Sequence, residues 1–288
     1  MTIASNHLPK IHLHPILLAF LFISFLTGTF VEMAIIFLFV LIHELGHYAM
    51  AKSFNWRIDT IMLWVFGGVM KTDEHGTRPI SEEFFVTIAG PFQHVLIYAG
   101  IFGLSTMNFM PPSLIDMMYD YNTAILLFNL LPLWPLDGGK LLFLLLATFL
   151  PYKRAYHTII LLSMLLAVSF IVLQLFLPTF TLSTFLIALF LFMENQSEWK
   201  QRHYVFMRFL IKRYETKHAV LKSKPLYVNP DSSLMRVFST FSQEKRHTIY
   251  VVNRYGKHQA IEEQECLRAY FKGENYHRSI GELVEKGA

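Results

Sequence analysis

Residues 33–54 read MAIIFLFVLIHELGHYAMAKSF, an almost wholly apolar stretch interrupted by one polar cluster, His43-Glu44-Leu45-Gly46-His47. An α-helix rises about 1.5 Å per residue, and a hydrocarbon core about 30 Å thick takes roughly 20 apolar residues to cross. The stretch is therefore expected to span a membrane. On a helix, positions i and i+4 share a face, so both imidazoles reach one metal ion. Glu44, beside the first of them, is then within reach of a water on that ion. With 13 His and 15 Glu in 288 residues, an HExxH pattern arises by chance only about 0.03 times.

The depth of the motif strengthens this reading. His43 lies nine residues before Lys52, roughly 13 Å along a helix. An ionisable side chain near mid-membrane costs about 2.5–3.5 kcal/mol even on a lenient scale, and normally faces the protein interior with a partner. A bound cation offsets that cost.

The composition agrees with a membrane protein. The chain is 53% hydrophobic and 16% charged, against about 45–50% and about 25% in soluble domains. Residues 14–193 hold 7 Lys/Arg and 10 Asp/Glu, whereas residues 194–288 hold 17 and 11. Two solvents are implied. A single cysteine, Cys266, excludes an internal disulfide framework and disfavours a thiolate zinc site. The 27 Phe exclude disorder. No repeat or low-complexity tract is present, and a removable signal peptide fits poorly, since only Lys10 precedes the first apolar run.

Six spans are expected, at about residues 14–31, 33–54, 82–108, 121–150, 155–178 and 180–194. The fourth is too long for one straight helix and contains Pro132, Pro135, Gly138 and Gly139, so it reads as two half-helices around a break. Lys10, then Lys52, Arg57, Lys71 and Arg78, then Lys153 and Arg154, then the basic tail occupy one set of connections. The alternate loops near 28–33, 109–120 and 178–181 have no Lys or Arg. The positive-inside rule then puts both termini in the cytoplasm.

Between the second and third spans, Ile58, Ile61, Leu63, Val65 and Val69 alternate around Gly67-Gly68, which suggests a short hairpin at the membrane surface whose strand edge accepts an extended peptide. A plain surface loop is the alternative. Residues 199–214, WKQRHYVFMRFLIKRY, mix basic, aromatic and aliphatic side chains at helical spacing. Such a segment lies on an anionic leaflet or serves as a linker helix; a nucleic-acid contact is disfavoured beside a membrane span. Residues 222–288 read as a small α/β domain, with a helix from Pro230-Asp231 through Phe241, a strand at Thr248–Val252, a turn at Tyr255-Gly256 and a helix from about Glu263 to Phe271.

Catalytic zinc usually has three protein ligands and one open position. The third ligand is sought among buried His, Asp or Glu at similar depth, and the fourth expected span offers Asp137, 17 residues from Asp120 and 14 from Pro151. A purely structural break in a long helix is the competing account of the surrounding prolines and glycines.

With HExxH in one membrane helix and N-x-x-P-x-x-P-x-D-G at Asn129–Gly138 in a later one, the chain resembles the site-2 protease family of intramembrane zinc metalloproteases. Within it, Lys10-Ile11-His12-Leu13-His14-Pro15, Phe66-Gly67-Gly68, Ala89-Gly90-Pro91-Phe92-Gln93-His94 and NLLPLWPLDGGKLLF from Asn129 resemble the sporulation branch. The resemblance covers the whole chain, most strongly 11–145 and least after 222. It implies one Zn²⁺ per chain held by His43, His47 and Asp137, with Glu44 as general base. Asn129 takes the family's asparagine position and either contacts substrate backbone or ties the broken helix together. Gly67, Gly68, Pro132 and Pro135 are expected to support substrate binding or the helix break. Many family members carry GPxxN where this chain has His94; His94 reads as an interior histidine rather than a fourth ligand, and His12 and His14 as interfacial histidines.

The resemblance also implies a substrate, the membrane-associated pro-sequence of a sporulation sigma factor precursor of the pro-sigma-K kind. It implies inhibitory membrane partners resembling stage IV sporulation protein FA and bypass-of-forespore protein A, and a place in the mother-cell membrane around the forespore. The tail resembles a single cystathionine-β-synthase (CBS) type module. Glu262-Glu263-Gln264-Glu265 stands where that module's Thr/Ser-x-x-Asp lies, so Glu265 is its candidate ribose-binding acid for an adenine nucleotide, with the hydroxyl missing.

The expected fold is thus an all-α polytopic membrane protein of six transmembrane helices with a small membrane-surface β-hairpin and a C-terminal α/β CBS-like domain. Residues 1–195 are expected to form the membrane metalloprotease domain, 196–221 a basic amphipathic linker and 222–288 a cytoplasmic regulatory domain. The lipid bilayer is a partner, nucleic acid is not, and a homo-oligomer is left open. A membrane metal transporter and a non-catalytic scaffold for the sigma factor are the other two function classes; the first requires a polar path to both faces, the second predicts precursor binding without cleavage.

Overall fold

The computed structural model describes residues 10–13, 15–58, 60–64, 67–72, 74, 76, 78–107, 109–176, 181–215, 222–252, 258–272 and 279–287. The chain divides into two compact units, Met1–Pro132 with Leu136–Leu141, and Leu133–Pro135 with Leu142–Ala288.

The first unit begins with strand β1 (Lys10–Leu13) and helices α1 (Pro15–Thr27) and α2 (Phe30–Ser53). Strands β2 (Thr60–Trp64) and β3 (Gly67–Lys71) follow, then helices α3 (Ile80–Thr106) and α4 (Pro112–Asn129) and the first turn of α5 (Asp137–Phe149). The expected hairpin is present: β2 pairs antiparallel with β3, Leu63 opposite Gly68 and Trp64 opposite Gly67. The sequence reading missed β1, which adds a parallel third strand with Ile11 opposite Ile61 and His12 opposite Met62. Four residues are too short a run to announce a strand by alternation. Val65, Phe66 and His14 lie outside the described residues.

The core of this unit lies where α2, α3 and α4 meet. Phe39, Ile97, Ile101 and Ile115 are buried together, with Ile35, Ile42, Tyr119 and Ile125 against them. Two glycines let α2 and α3 come close: a Cβ on Gly46 would stand 2.6 Å from Ala89 O, and one on Gly90 would stand 2.2 Å from His47 Nε2. On its outer side α3 exposes Phe85, Phe92, Leu96 and Phe102, an apolar surface suited to lipid rather than to water.

Among the described residues, three helices are long and apolar enough to cross a membrane: Phe30–Ser53, Ile80–Thr106 and α6, Tyr152–Phe176. They correspond to the second, third and fifth expected spans. The fourth is broken as the prolines and glycines require, α4 ending at Asn129 and α5 starting at Asp137. However, α4 begins at Pro112 rather than near residue 121, because Pro112 provides a helix-compatible first position and Ile115, Met118 and Tyr119 pack inward at helical spacing. The sixth expected span is the first half of α7 (Leu182–Glu215), one helix of 34 residues that runs on through the basic stretch.

The second unit contains most of α5, then α6, α7, strands β4 (Lys222–Val228), β5 (Lys245–Val252) and β6 (His258–Glu262), and helices α8 (Leu234–Phe238), α9 (Glu263–Lys272) and α10 (Ile280–Gly287). Its sheet runs β4-β5-β6, with β5 parallel to β4 and antiparallel to β6. Along β5, His247, Ile249 and Val251 turn inward; Leu234, Phe238, Leu267 and Ile280 are likewise buried. α6 packs along α7, and Tyr152 stacks on Phe209 at 4.1 Å between ring centroids. The sheet is bound to these helices: Tyr152 N donates to Phe241 O at 2.9 Å, and Arg213 at the end of α7 grips Glu263 and the carbonyls of Ser242 and Lys245.

Candidate metal centre

One turn of α2 separates His43 from His47, and the turn that opens α5 carries Asp137 to the same point. His47 Nε2 lies 3.1 Å from His43 Nε2 and 3.0 Å from Asp137 Oδ2, and His43 Nε2 lies 3.1 Å from the same oxygen. Three donor atoms thus form a nearly equilateral triangle. They are 3–6% exposed, and Glu44 beside them 8%. Ligand atoms of His43, Glu44 and His47 fall within 4.8 Å of one another.

These residues fit a zinc ion. Donors about 2.0–2.1 Å from zinc in tetrahedral directions stand about 3.3 Å apart, close to the separations found. Three protein donors is the number typical of catalytic rather than structural zinc sites. The donor orbitals are also aimed correctly at His47: its Nδ1 lies 2.8 Å from Val86 O, and since a carbonyl only accepts, Nδ1 carries the hydrogen and Nε2 turns its lone pair into the triangle. Asp137 is held in a one-oxygen pose, because Lys140 Nζ takes Oδ1 at 3.1 Å and leaves Oδ2 for the centre.

Two glycines make the geometry possible. Gly90 admits the imidazoles, since a Cβ there would lie 2.2 Å from His47 Nε2 and 2.8 Å from His43 Cε1. Gly138 lets α5 start against the end of α4, where a Cβ would lie 2.2 Å from Leu130 O and 2.4 Å from Leu131 O.

The other residues singled out from sequence are placed differently. Asn129 donates from Nδ2 to Ile125 O at 3.0 Å, one turn back on its own helix. Pro132 and Pro135 lie in the break between α4 and α5, and Gly67 and Gly68 open β3. His94 stands behind the triangle: its Nε2 is 3.2 Å from His43 Nδ1, and its Nδ1 is 2.7 Å from Asn122 Oδ1. Asn122, Lys140, Gly46 and Gly90 went unremarked as site residues. An isolated amide in apolar α4 and a lone lysine in the fourth expected span were the available signals for the first two.

In α9 the exposed Glu265 is the acid expected from sequence, but Glu263, two positions before it, is the buried one. Glu263 accepts from His247 N at 2.9 Å and from Arg213 Nη2 at 3.0 Å, and faces His247 Nδ1 at 3.2 Å. Burial by itself raises the Glu263 carboxyl; the bonds from His247 and Arg213 outweigh it and hold the group below its ordinary value. Burial, aided by the Arg213 charge, holds His247 below its usual value despite the bond to Glu263. Burial, with Glu265 and Glu263 nearby, pushes the Cys266 thiol up to about 12, so it is an inert core residue.

Residues 31–112 and 105–173 match the profile of Peptidase family M50. The chain is 37% identical to Stage IV sporulation protein FB of Bacillus subtilis over 276 residues, 96% of each chain. It is 28% identical over 228 residues to a zinc metalloprotease of Methanocaldococcus jannaschii, 77% of this chain and 64% of that one. Among solved structures, the site-2 protease from Methanocaldococcus jannaschii superposes with a TM-score of 0.54 at 24% identity, over 65% of this chain and 89% of that chain, which shows a shared fold.

Proposed function

Because this chain belongs to peptidase family M50 and is a zinc-dependent metalloprotease of the membrane, we propose that it cuts the N-terminal pro-sequence of a membrane-associated sporulation sigma factor precursor, of the pro-sigma-K kind, and so releases the active factor. The likeness to Stage IV sporulation protein FB along 96% of both chains supports that choice of substrate. The observation that carries the chemistry is the buried triangle of His43, His47 and Asp137 with Glu44 beside it.

In this proposal His43, His47 and Asp137 hold one zinc ion. A zinc ion held by these residues would polarise the scissile carbonyl and lower the pKa of a nearby water to about 7. Glu44 takes the proton of the attacking water and returns it to the leaving amine. Lys140 fixes the carboxylate of Asp137. Burial of the triangle limits bulk water and strengthens each of these electrostatic contacts.

Six spans with both termini in the cytoplasm satisfy the distribution of Lys and Arg, and the mother-cell membrane around the forespore is the proposed location. Residues 1–195 form the proposed protease domain, 196–221 the basic linker, and 222–288 a CBS-like regulatory domain. Inhibitory membrane proteins resembling stage IV sporulation protein FA and bypass-of-forespore protein A are the proposed partners. The β2–β3 hairpin is the proposed docking edge for the extended pro-sequence.

Co-expression of the full chain with the precursor tests the substrate. The expected result is a shortened, membrane-released factor whose new N-terminus lies within the pro-sequence. Recovery of intact precursor bound to the protein, with no cleavage, would favour the scaffold instead.

A further inference from the structure

His43 serves the centre only if its Nε2 carries no hydrogen. An imidazole has two neutral tautomers, and a ligand histidine is held in the right one by the bond its other nitrogen makes. For His47 a carbonyl decides, as described above. Among the described residues, no carbonyl bonds to His43 Nδ1. Its neighbour there is another imidazole, His94, which by itself accepts or donates with equal ease.

A third residue removes that ambiguity. Asn122 Nδ2 donates to His94 O at 3.1 Å. A carbonyl only accepts, so the amide group of Asn122 is fixed in orientation and Oδ1 is the atom 2.7 Å from His94 Nδ1. Oδ1 also only accepts, so Nδ1 of His94 carries the hydrogen and neutral His94 has a lone pair at Nε2. That lone pair faces His43 Nδ1 at 3.2 Å; the hydrogen of His43 is therefore on Nδ1, and Nε2 is bare where it meets Asp137 and His47. His94 and Asn122 are both wholly buried, so water does not substitute for either.

We infer that Asn122 and His94 form a directional relay across α4, α3 and α2 that sets the tautomer of His43 and thereby prepares the site for zinc. Both are positioning residues: neither touches the donor triangle. Without Asn122, His94 is free to turn Nε2–H toward His43, which moves the hydrogen of His43 onto Nε2 and blocks the donor. The inference rests on the proposed reading of His43 as a zinc ligand.

The test measures zinc affinity, by competition with a chelator, on the purified full chain in detergent, with thermal unfolding of the metal-free form as the check on folding. His94→Leu and Asn122→Leu are expected to weaken zinc by about 10–100-fold. His94→Gln, whose amide oxygen accepts from His43 Nδ1, is expected to stay within about threefold of the parent. Undiminished affinity in both leucine variants overturns the relay, and so does an equal loss in His94→Gln and His94→Leu, which marks position 94 as packing alone. Should His94→Leu fail to fold, the contrast between His94→Gln and Asn122→Leu decides. Full zinc binding by His43→Ala fails the ligand reading itself and is distinct from both outcomes.

Discussion

Gly90 of α3 lies so close to His47 of α2 that a Cβ on the glycine would stand 2.2 Å from Nε2 and 2.5 Å from Cε1. The proposed metal centre therefore depends on a residue with no side chain, located on a helix that supplies none of its three donor atoms. Gly90→Ala is expected to drive the imidazole out of the triangle or α3 away from α2, at about 1–3 kcal/mol of overpacking. Zinc content of the purified chain should fall at least tenfold on the order of the losses seen when ligand geometry is disturbed. Gly100→Ala, where nothing lies within 4 Å of a Cβ, should leave zinc unchanged. Equal zinc in both variants would contradict the role given to Gly90.

Lys140 Nζ meets Asp137 Oδ1 at 3.1 Å while Oδ2 faces both histidines. Lys140→Met keeps much of the stem and removes the charge. It should weaken zinc by about tenfold, with Lys140→Arg intermediate, because the freed oxygen lets the carboxylate rotate. Chelator competition reads the change; an affinity equal to that of the parent would show that packing alone holds Asp137.

The pattern of what was readable follows from the range of each interaction. HExxH lies within one turn of one helix, so the pairing of His43 with His47 is a local fact. Asp137 was reachable because depth in a membrane is a coordinate that sequence carries approximately. Gly90, His94 and Asn122 act across three helices, and only the packing of α2 on α3 and of α3 on α4 gives them meaning. The starting point of α4 was missed because Asp116 and Asp120 look like loop residues when the apolar Ile115, Met118 and Tyr119 between them are read without a helical face. The continuity of α7 was missed because its apolar and basic halves belong to different solvents while its backbone does not break. At the C-terminal domain the acid that folding uses is Glu263, two positions before Glu265.

Arg213 closes the C-terminal sheet onto α7 by pairing with Glu263, with both side chains under 10% exposed. Arg213→Met leaves a buried carboxylate beside His247, and loss of one partner of such a pair costs about 3–5 kcal/mol. Amides of β5 and α9 in the full chain should then exchange hydrogen about a hundredfold faster or more, while those of α2 stay protected. Unchanged exchange in β5 would refute the clamp.

Acidity should act on the same cluster. Folded His247 sits below the usual 6.5 and folded Glu263 below the usual 4.5. As pH falls through about 6.5, the unfolded chain binds a proton at His247 before the folded chain does, so stability declines with falling pH. Below about 4.5 the same sign applies to Glu263, whose contribution is present above that value and lost as pH falls through its depressed folded value. Hydrogen exchange of β5 should therefore rise relative to α2 from pH 7 to 5, and His247→Gln should flatten that rise. A pH-independent ratio in the parent chain would exclude the linkage.

The central claim is that Glu44 moves the proton at a zinc ion held by His43, His47 and Asp137. It is tested by measuring cleavage of the purified precursor and zinc content together, in the parent chain, Glu44→Gln and Asp137→Asn. The account predicts about one zinc per chain and cleavage in the parent, zinc retained with cleavage lost in Glu44→Gln, and both reduced in Asp137→Asn. Undiminished cleavage by Glu44→Gln would contradict it.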